Sequence, residues 1–280
     1  MSVSEDGDPG ETVPEPRPSR VFLGHTRRAL APSLWVPPVV GFAVVGVVWQ
    51  IAALHNPYTI PRFGAIWQSL DNDPRLFLTD ALRTLSEAAI GLGASFVVAF
   101  SAAVVMCHLR FAERALMPLA VVLNVTPVVA LAAGLTLLGF GEWPKYVITA
   151  IVVFFPLLVN SLAGLRSIDP EALEVFLTLD ASRREILFRL RIPSSLPFLF
   201  AAARVAFPLA VVGAVVAEFV ASSNGGGLGA LVQSAESTSD LPELFAAIVC
   251  LALLGIALTI IVSLLEARFL SWHSPSRRGR

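Results

Sequence analysis

Long apolar stretches separated by short polar segments set the plan of this chain. A helix needs about 20 apolar residues to cross the hydrocarbon of a bilayer. Six stretches meet that length, at residues 34–54, 85–107, 116–140, 146–165, 196–220 and 243–265. The third is interrupted by Pro118, Asn124 and Pro127. Irregular backbone at membrane depth survives only where protein or a cavity covers the freed polar groups. A transport pathway at Asn124 and Pro127 and a plain kink both fit. The pattern predicts an all-α membrane protein with six transmembrane helices.

The polar segments differ from one another. Residues 1–33 are rich in Pro, Glu, Asp, Ser and Gly, a composition that builds no core, and are expected to be a disordered tail. The early acidic residues and the missing apolar region argue against a signal peptide. Residues 55–84 form a loop whose "NPYTIPRFGAIWQSLDNDP" predicts a Pro-rich turn and a short surface helix. Residues 221–241 contain Gly225, Gly226 and Gly227. Either a flexible connection or a backbone needing positive φ or close approach explains them. Residues 267–280 read as a basic tail.

A charged segment, residues 166–195, interrupts the apolar pattern in mid-chain. Asp169 can cap a first short helix, with Pro170 at its first position and Glu171 in its first turn. Leu173, Phe176, Leu177 and Asp180 share a face at helical spacing. Ser182 and Glu185 form a capping-box pattern that opens a second helix. Ile186, Leu187 and Leu190 make its apolar face, and Pro193 is expected to end it. Such a hairpin can pack on its own spans or offer a docking knob to a soluble protein.

Composition agrees with the membrane reading. The chain is 55% hydrophobic and 15% charged, against about 25% charge in a soluble domain, with mean hydropathy +0.74. Basic residues orient the bundle. With the N-terminus inside, fifteen arginines fall in inner segments, including Arg17, Arg20, Arg27, Arg28, Arg277, Arg278 and Arg280. Only Arg62, Arg75, Arg83 and Lys145 fall outside. Both termini and the hairpin are therefore expected in the cytoplasm. The net charge of -1 and the lack of a basic cluster with interleaved aromatics exclude nucleic acid as a partner. Cys107 and Cys250 read as small apolar residues inside spans, and the four scattered histidines suggest no zinc site. A P-loop needs Gly-Lys-Ser/Thr. Lys145, in "WPKY", is the sole lysine, so ATP hydrolysis cannot reside here. No hydrolase motif is present either, and the chain reads as a non-enzyme.

Charges within spans are costly and mark candidate sites. Glu87 lies near the start of span two, Glu218 near the end of span five, and Arg204 about 12 Å into span five. Glu218 fits snorkelling to the interface, and Arg204 fits either snorkelling or a pathway for an anion. An ion-gradient-driven secondary transporter stays open as a second class, although such folds show internal repeats and paired midplane charges.

The charged segment resembles the cytoplasmic loop of ABC importer permeases. Their motif is Glu-Ala-Ala, three residues, Gly, nine residues, then Ile-x-Leu-Pro. Here Glu174-Val175-Phe176, Asp180 and Leu190-Arg191-Ile192-Pro193 keep the spacing, with Val-Phe for Ala-Ala and Asp for Gly. The stretches "TPVVALAAGLTLLGFGEWPKYVITAIVVFFPLLVNSLAGLRSIDPE", "AEFVASSNGGGLG" and "NPYTIPRFGAIWQSL" are similar to the nitrate/sulfonate/taurine subgroup. The resemblance implies a type I importer domain over residues 79–266. It implies that Glu174, Phe176, Leu179, Asp180, Ala181, Ser182, Leu190, Ile192 and Pro193 contact a separate ATPase. ATP and Mg would sit on that partner, with no cofactor in this chain. It further implies an ATPase dimer, a periplasmic or lipid-anchored solute-binding protein, a permease homodimer and a bacterial inner-membrane location. The solute expected is a small anion of the sulfonate, taurine or nitrate type, although similar permeases carry pyrimidine vitamin precursors or riboflavin. Arg204, Glu218, Asn124 and Pro127 are the expected pathway residues.

Overall fold

The computed structural model describes residues 32–56, 58–138, 141–221 and 225–269. Most of both expected tails lies outside them, including Arg17, Arg20, Arg27, Arg28, Arg277, Arg278 and Arg280. The chain divides into two units, residues 1–56 and 57–280. The first holds one described helix, α1 (Pro32–His55).

The second unit is helical throughout its described residues. In order it comprises α2 (Phe63–Asn72), α3 (Pro74–His108), α4 (Arg110–Val125), α5 (Val128–Leu138) and α6 (Trp143–Arg166). There follow α7 (Pro170–Thr178), α8 (Arg183–Ile186), a π-helical turn at Leu187–Arg191, α9 (Ile192–Val220), α10 (Leu228–Thr238) and α11 (Leu241–Phe269). Four helical runs are long and apolar enough to cross a bilayer: α3, α6, Arg183–Val220 and α11. The third expected span is broken at Thr126-Pro127, where α4 and α5 meet with a 94° bend, and only the pair together makes a fifth. The apolar stretch of α1, Val39–His55, is shorter than one crossing.

Two expected loops contain more helix than their polar composition suggested. The helix expected from residue 85 starts at Pro74. Asp73 caps it by accepting from the Leu76 N–H at 3.1 Å, and proline suits the first position. The connection expected over residues 221–241 contains α10. Its buried Leu228, Leu231, Val232 and Ala235 fall at i, i+3, i+4 and i+7. Leu228, Leu231 and Val232 pack with Ile66, Phe77, Ala246 and Ala247, which joins α2, α3, α10 and α11. The short surface helix expected after "NPYTIP" is α2.

The centre of the unit is α3 against α6 against α9. The buried faces are built from small residues: Ala88, Ala99 and Ala103 on α3, and Ala202, Ala206, Ala210 and Ala214 on α9. In a membrane, helices associate through close van der Waals contact, and small side chains permit it. Gly91 and Gly213 mark the tightest point. A Cβ at Gly91 would lie 2.5 Å from Thr149 Cβ, and one at Gly213 would lie 3.0 Å from Thr149 Cα. α3 and α6 run parallel, and α9 returns between their ends. The starts of α3 and α6 therefore meet the end of α9 at one pole, and the hairpin leaves the other.

Candidate functional site

Polar side chains gather at both poles of the bundle, in opposite ways. At the pole away from the hairpin they are buried. Lys145 Nζ donates to Glu87 Oε1 at 2.8 Å, with both side chains at most 1% exposed. Glu218 is fully buried. Its Oε1 accepts from Thr84 Oγ1 at 2.7 Å and its Oε2 from the Gly229 N–H at 2.6 Å. Thr84 Oγ1 in turn accepts from the Leu228 N–H at 2.9 Å, and Asp80 Oδ1 from the Gly227 N–H at 3.1 Å. The start of α10 is thus tied to α3 and α9 by three bonds through three side chains, and a fourth, Thr84 to Glu218, joins α3 to α9. Arg83 extends the network to Glu142, whose Oε2 also accepts from Tyr146 at 3.0 Å. The Tyr146 hydroxyl, and after it Arg83, holds the Glu142 carboxyl below its ordinary range.

The glycines serve this network. Gly225 and Gly227 have φ of +149° and +129°, a region that side chains rarely adopt. A Cβ at Gly227 would collide with the Glu218 carboxylate, and one at Gly225 with the Arg83 guanidinium. Close backbone approach, rather than flexibility, is what residues 225–227 provide. The snorkelling reading of Glu218 is overturned, because its carboxylate turns into the bundle to meet orphan N–H groups of α10. Sequence reasoning named Glu218 and noted Glu87. It missed Asp80, Thr84, Glu142 and the pairing of Lys145, because partners up to 147 residues apart carry no local signal. The one available cue was a lysine beside an apolar stretch, which charge counting placed in a loop.

At the hairpin pole the polar groups are satisfied locally. Asp169 caps α7 by accepting from the Glu171 N–H at 3.0 Å. The helix ends in a Schellman motif, with Ala181 N–H to Phe176 O at 3.0 Å and Asp180 N–H to Leu177 O at 3.1 Å. Asp180 holds the left-handed position, φ 52°, that glycine usually fills. Ser182 and Glu185 make the reciprocal capping box. No residue of α7 or α8 is buried, and Val175, Leu177, Leu179 and Phe188 stand out as exposed, Leu179 at 74%. Glu174 and Ser182 are also exposed, and Phe176, Ala181, Leu190 and Ile192 half-buried.

Pro193 does not end the second helix. Helix continues from Arg183 to Val220. A proline removes one N–H and crowds the carbonyl four residues earlier. Here the π turn just before it widens the backbone, with the Ile192 N–H reaching Leu187 O, so the chain passes the proline without breaking. The consequence is mechanical: α8 of the hairpin runs into α9 as one continuous helix. Arg166 adds a brace by donating to both Glu113 oxygens, at 2.8 and 2.6 Å.

The remaining named residues lie apart from both clusters. Arg204, half-exposed on α9, pairs with Glu266 of α11. Asn124 and Pro127 are exposed at the α4–α5 break. Among the described residues, no group of three or more His, Cys, Asp or Glu is placed to hold a metal ion.

Residues 91–271 match the family described as the binding-protein-dependent transport system inner membrane component. The chain belongs to this family. It is 35% identical over 255 residues to the formylaminopyrimidine transport permease protein ThiX of Halalkalibacterium halodurans, covering 90% of this chain and 99% of that one. It is 33% identical over 253 residues to the riboflavin transport system permease protein RibX of Chloroflexus aurantiacus, covering 87% and 91%. A putative aliphatic sulfonates transport permease protein, SsuC of Bacillus subtilis, is 31% identical over 136 residues, 49% of each chain. Among solved structures, a chain of the MetNI methionine ABC transporter in an inward-facing form matches the fold at TM-score 0.56 and 17% identity, covering 68% of this chain and 95% of that one. The protein is an ABC importer permease subunit, integral to the membrane.

Proposed function

We propose that this permease works as one of two identical six-span subunits, with both termini and residues 166–195 in the cytoplasm of a bacterial cell. An ATPase pair docks on the two hairpins, and an external binding protein delivers solute to the opposite pole. The observation that carries this reading is the hairpin itself. It is capped at every turn by its own side chains, exposes Val175, Leu177, Leu179 and Phe188, and continues without a break into α9. A knob whose backbone is satisfied but whose apolar side chains are not suits a groove on a soluble partner. A push on it is carried along a span. ATP and Mg act on the partner; this chain transmits motion and lines the path.

For the solute we infer a small heteroaromatic compound of the pyrimidine or flavin kind. The relatives named for such compounds match about nine tenths of the chain, whereas the sulfonate relative matches about half, and a nitrate import permease of Synechocystis sp. is 25% identical. The Arg204–Glu266 pair supports the same choice, since Glu266 compensates the positive charge of Arg204 on which an anion path would draw. A sulfonate, taurine or nitrate path through Arg204, Glu218, Asn124 and Pro127 is the competing reading. Reconstitution with the co-encoded ATPase and binding protein tests both. Uptake of a radiolabelled aminopyrimidine should require ATP and persist with an ionophore. Loss of uptake with the ionophore would instead indicate a gradient-driven carrier, and uptake of taurine alone would restore the anion. Arg204→Gln should then leave heteroaromatic uptake unchanged.

A further inference from the structure

Between the hairpin and the hairpin-side end of α3 lies a cavity of about 300 Å³, near the lower end of the range for small-molecule pockets. Its walls come from four segments. Cys107 and His108 contribute from α3; Leu173 and Leu177 of α7, with Ile186 of α8, give an apolar side; Arg183 and Arg191 give a cationic one. No acidic side chain lines it. The other arginines that meet the bundle have carboxylates: Arg83 has Glu142, Arg166 has Glu113 and Arg204 has Glu266. Arg183 and Arg191 have none among the described residues.

Arg191 is fixed in place nonetheless. One of its terminal nitrogens donates to Leu165 O and to Cys107 Sγ, both at 3.0 Å. Neither is a carboxylate, so the charge is positioned without an acidic side chain to pair it. The remaining guanidinium donors suit a bidentate anion. His108 Nδ1 donates to Val104 O at 2.8 Å, which leaves Nε2 of that tautomer as an acceptor for a protonated phosphate oxygen. Two guanidiniums, an imidazole and a leucine-isoleucine wall in one cavity match a ligand with an anionic head and an apolar body.

We propose that this cavity is a binding site for an amphipathic organic anion of the phosphate-ester class, taken up from the hairpin side. The assignment of that side as cytoplasmic, and any effect on transport, rests on the coupling reading above. A ligand there would bridge α3 to α7, α8 and the π turn, bracing the knob against the bundle. The headgroup phosphate of an anionic lipid presents the same chemistry, so the source is decided by experiment.

The test uses Cys107, which lines the cavity, in a Cys250→Ser chain purified with its ATPase. Complexes are placed in nanodiscs of zwitterionic lipid or of zwitterionic lipid with phosphatidylglycerol. The readout is the rate at which N-ethylmaleimide labels Cys107, with phenyl phosphate as probe. At a concentration about ten times its Kd, phenyl phosphate should slow labelling about tenfold. Arg183→Gln should remove most of that protection, whereas Arg189→Gln, an exposed arginine outside the cavity lining, should keep it. If Cys107 is already protected in phosphatidylglycerol discs and exposed in zwitterionic ones, and Arg183→Gln abolishes the difference, the site holds and lipid is its occupant. No protection at any millimolar concentration in either disc, or equal protection in Arg183→Gln, overturns the site. Co-purification of the ATPase is scored in the same samples, so failure of the site is separable from failure of the coupling reading.

Discussion

The two poles of this bundle solve the same problem by different means. Each must hold charged and polar groups against an apolar body. The pole carrying α10 buries them: Glu87, Lys145, Glu218 and Thr84 lie at or near zero exposure, and each bonds to a residue distant in sequence. The hairpin pole exposes them and satisfies its backbone through neighbours, Asp169 with Glu171 and Ser182 with Glu185. A buried network fixes the relative position of helices, because each partner is costly to strand. A locally capped hairpin keeps its own shape while it moves as a body or meets another chain. The first arrangement suits a fixed joint, the second a transmitting knob.

Breaking the buried pole should have the largest effect. Lys145→Met leaves Glu87 buried with only the Arg83 guanidinium, 3.7 Å away, as counter-charge and should cost about 3 kcal/mol, read as a large fall in the thermal unfolding temperature of the purified chain in detergent. The pair is not fully satisfied, since Glu87 Oε2 has no hydrogen bond. Adding Glu87→Leu should therefore recover much of the loss. A double variant as unstable as Lys145→Met would show that the charges are needed for more than each other.

The exposed pole should give the converse result. Leu179→Glu places a charge in the proposed ATPase contact and should weaken association about a hundredfold, or about 2.7 kcal/mol. The unfolding temperature of the isolated chain should hardly move, because Leu179 is 74% exposed. Retained co-purification and substrate-stimulated ATP hydrolysis would mean that the hairpin is not the knob.

Two smaller changes sharpen the contrast. Gly227→Ala pushes a Cβ toward Glu218 at a φ that alanine resists, and should cost about 2 kcal/mol, visible in the same melting experiment. Ser182→Ala removes the capping box and should cost about 1 kcal/mol locally. Hydrogen exchange should quicken in residues 182–186 while the melting temperature holds. A global shift from Ser182→Ala would show that the hairpin and the bundle melt as one unit.

What could be read from the chain divides along the same line. Caps are local chemistry, so Asp169, Pro170, Ser182 and Glu185 were legible from neighbours alone, whereas Asp180, which spacing placed on the helix face, is the left-handed residue just beyond the helix end at Thr178. Apolar length was equally legible and located the helices later found as α3, α6, α9 and α11. The spacing of Leu228, Leu231, Val232 and Ala235 also announced α10, but three preceding glycines drew the segment toward a loop. Pro193 misled for a similar reason. A proline's local rule is to stop a helix, and only the π turn before it, itself a feature of backbone geometry, let α9 continue. Which face of a span is buried, and which acid meets which base, lay beyond the chain's own pattern. Lys145 looked like a loop residue and Glu218 like an interfacial one, because hydropathy reports a residue's cost in lipid and not the partner that removes it. Local propensity and apolar length are properties of neighbours in the chain and were determined by the sequence itself. The Glu87–Lys145 pair and the Glu218–Gly229 tie join segments that meet only when α3, α6 and α9 pack through their alanines and glycines, so tertiary structure alone decided them.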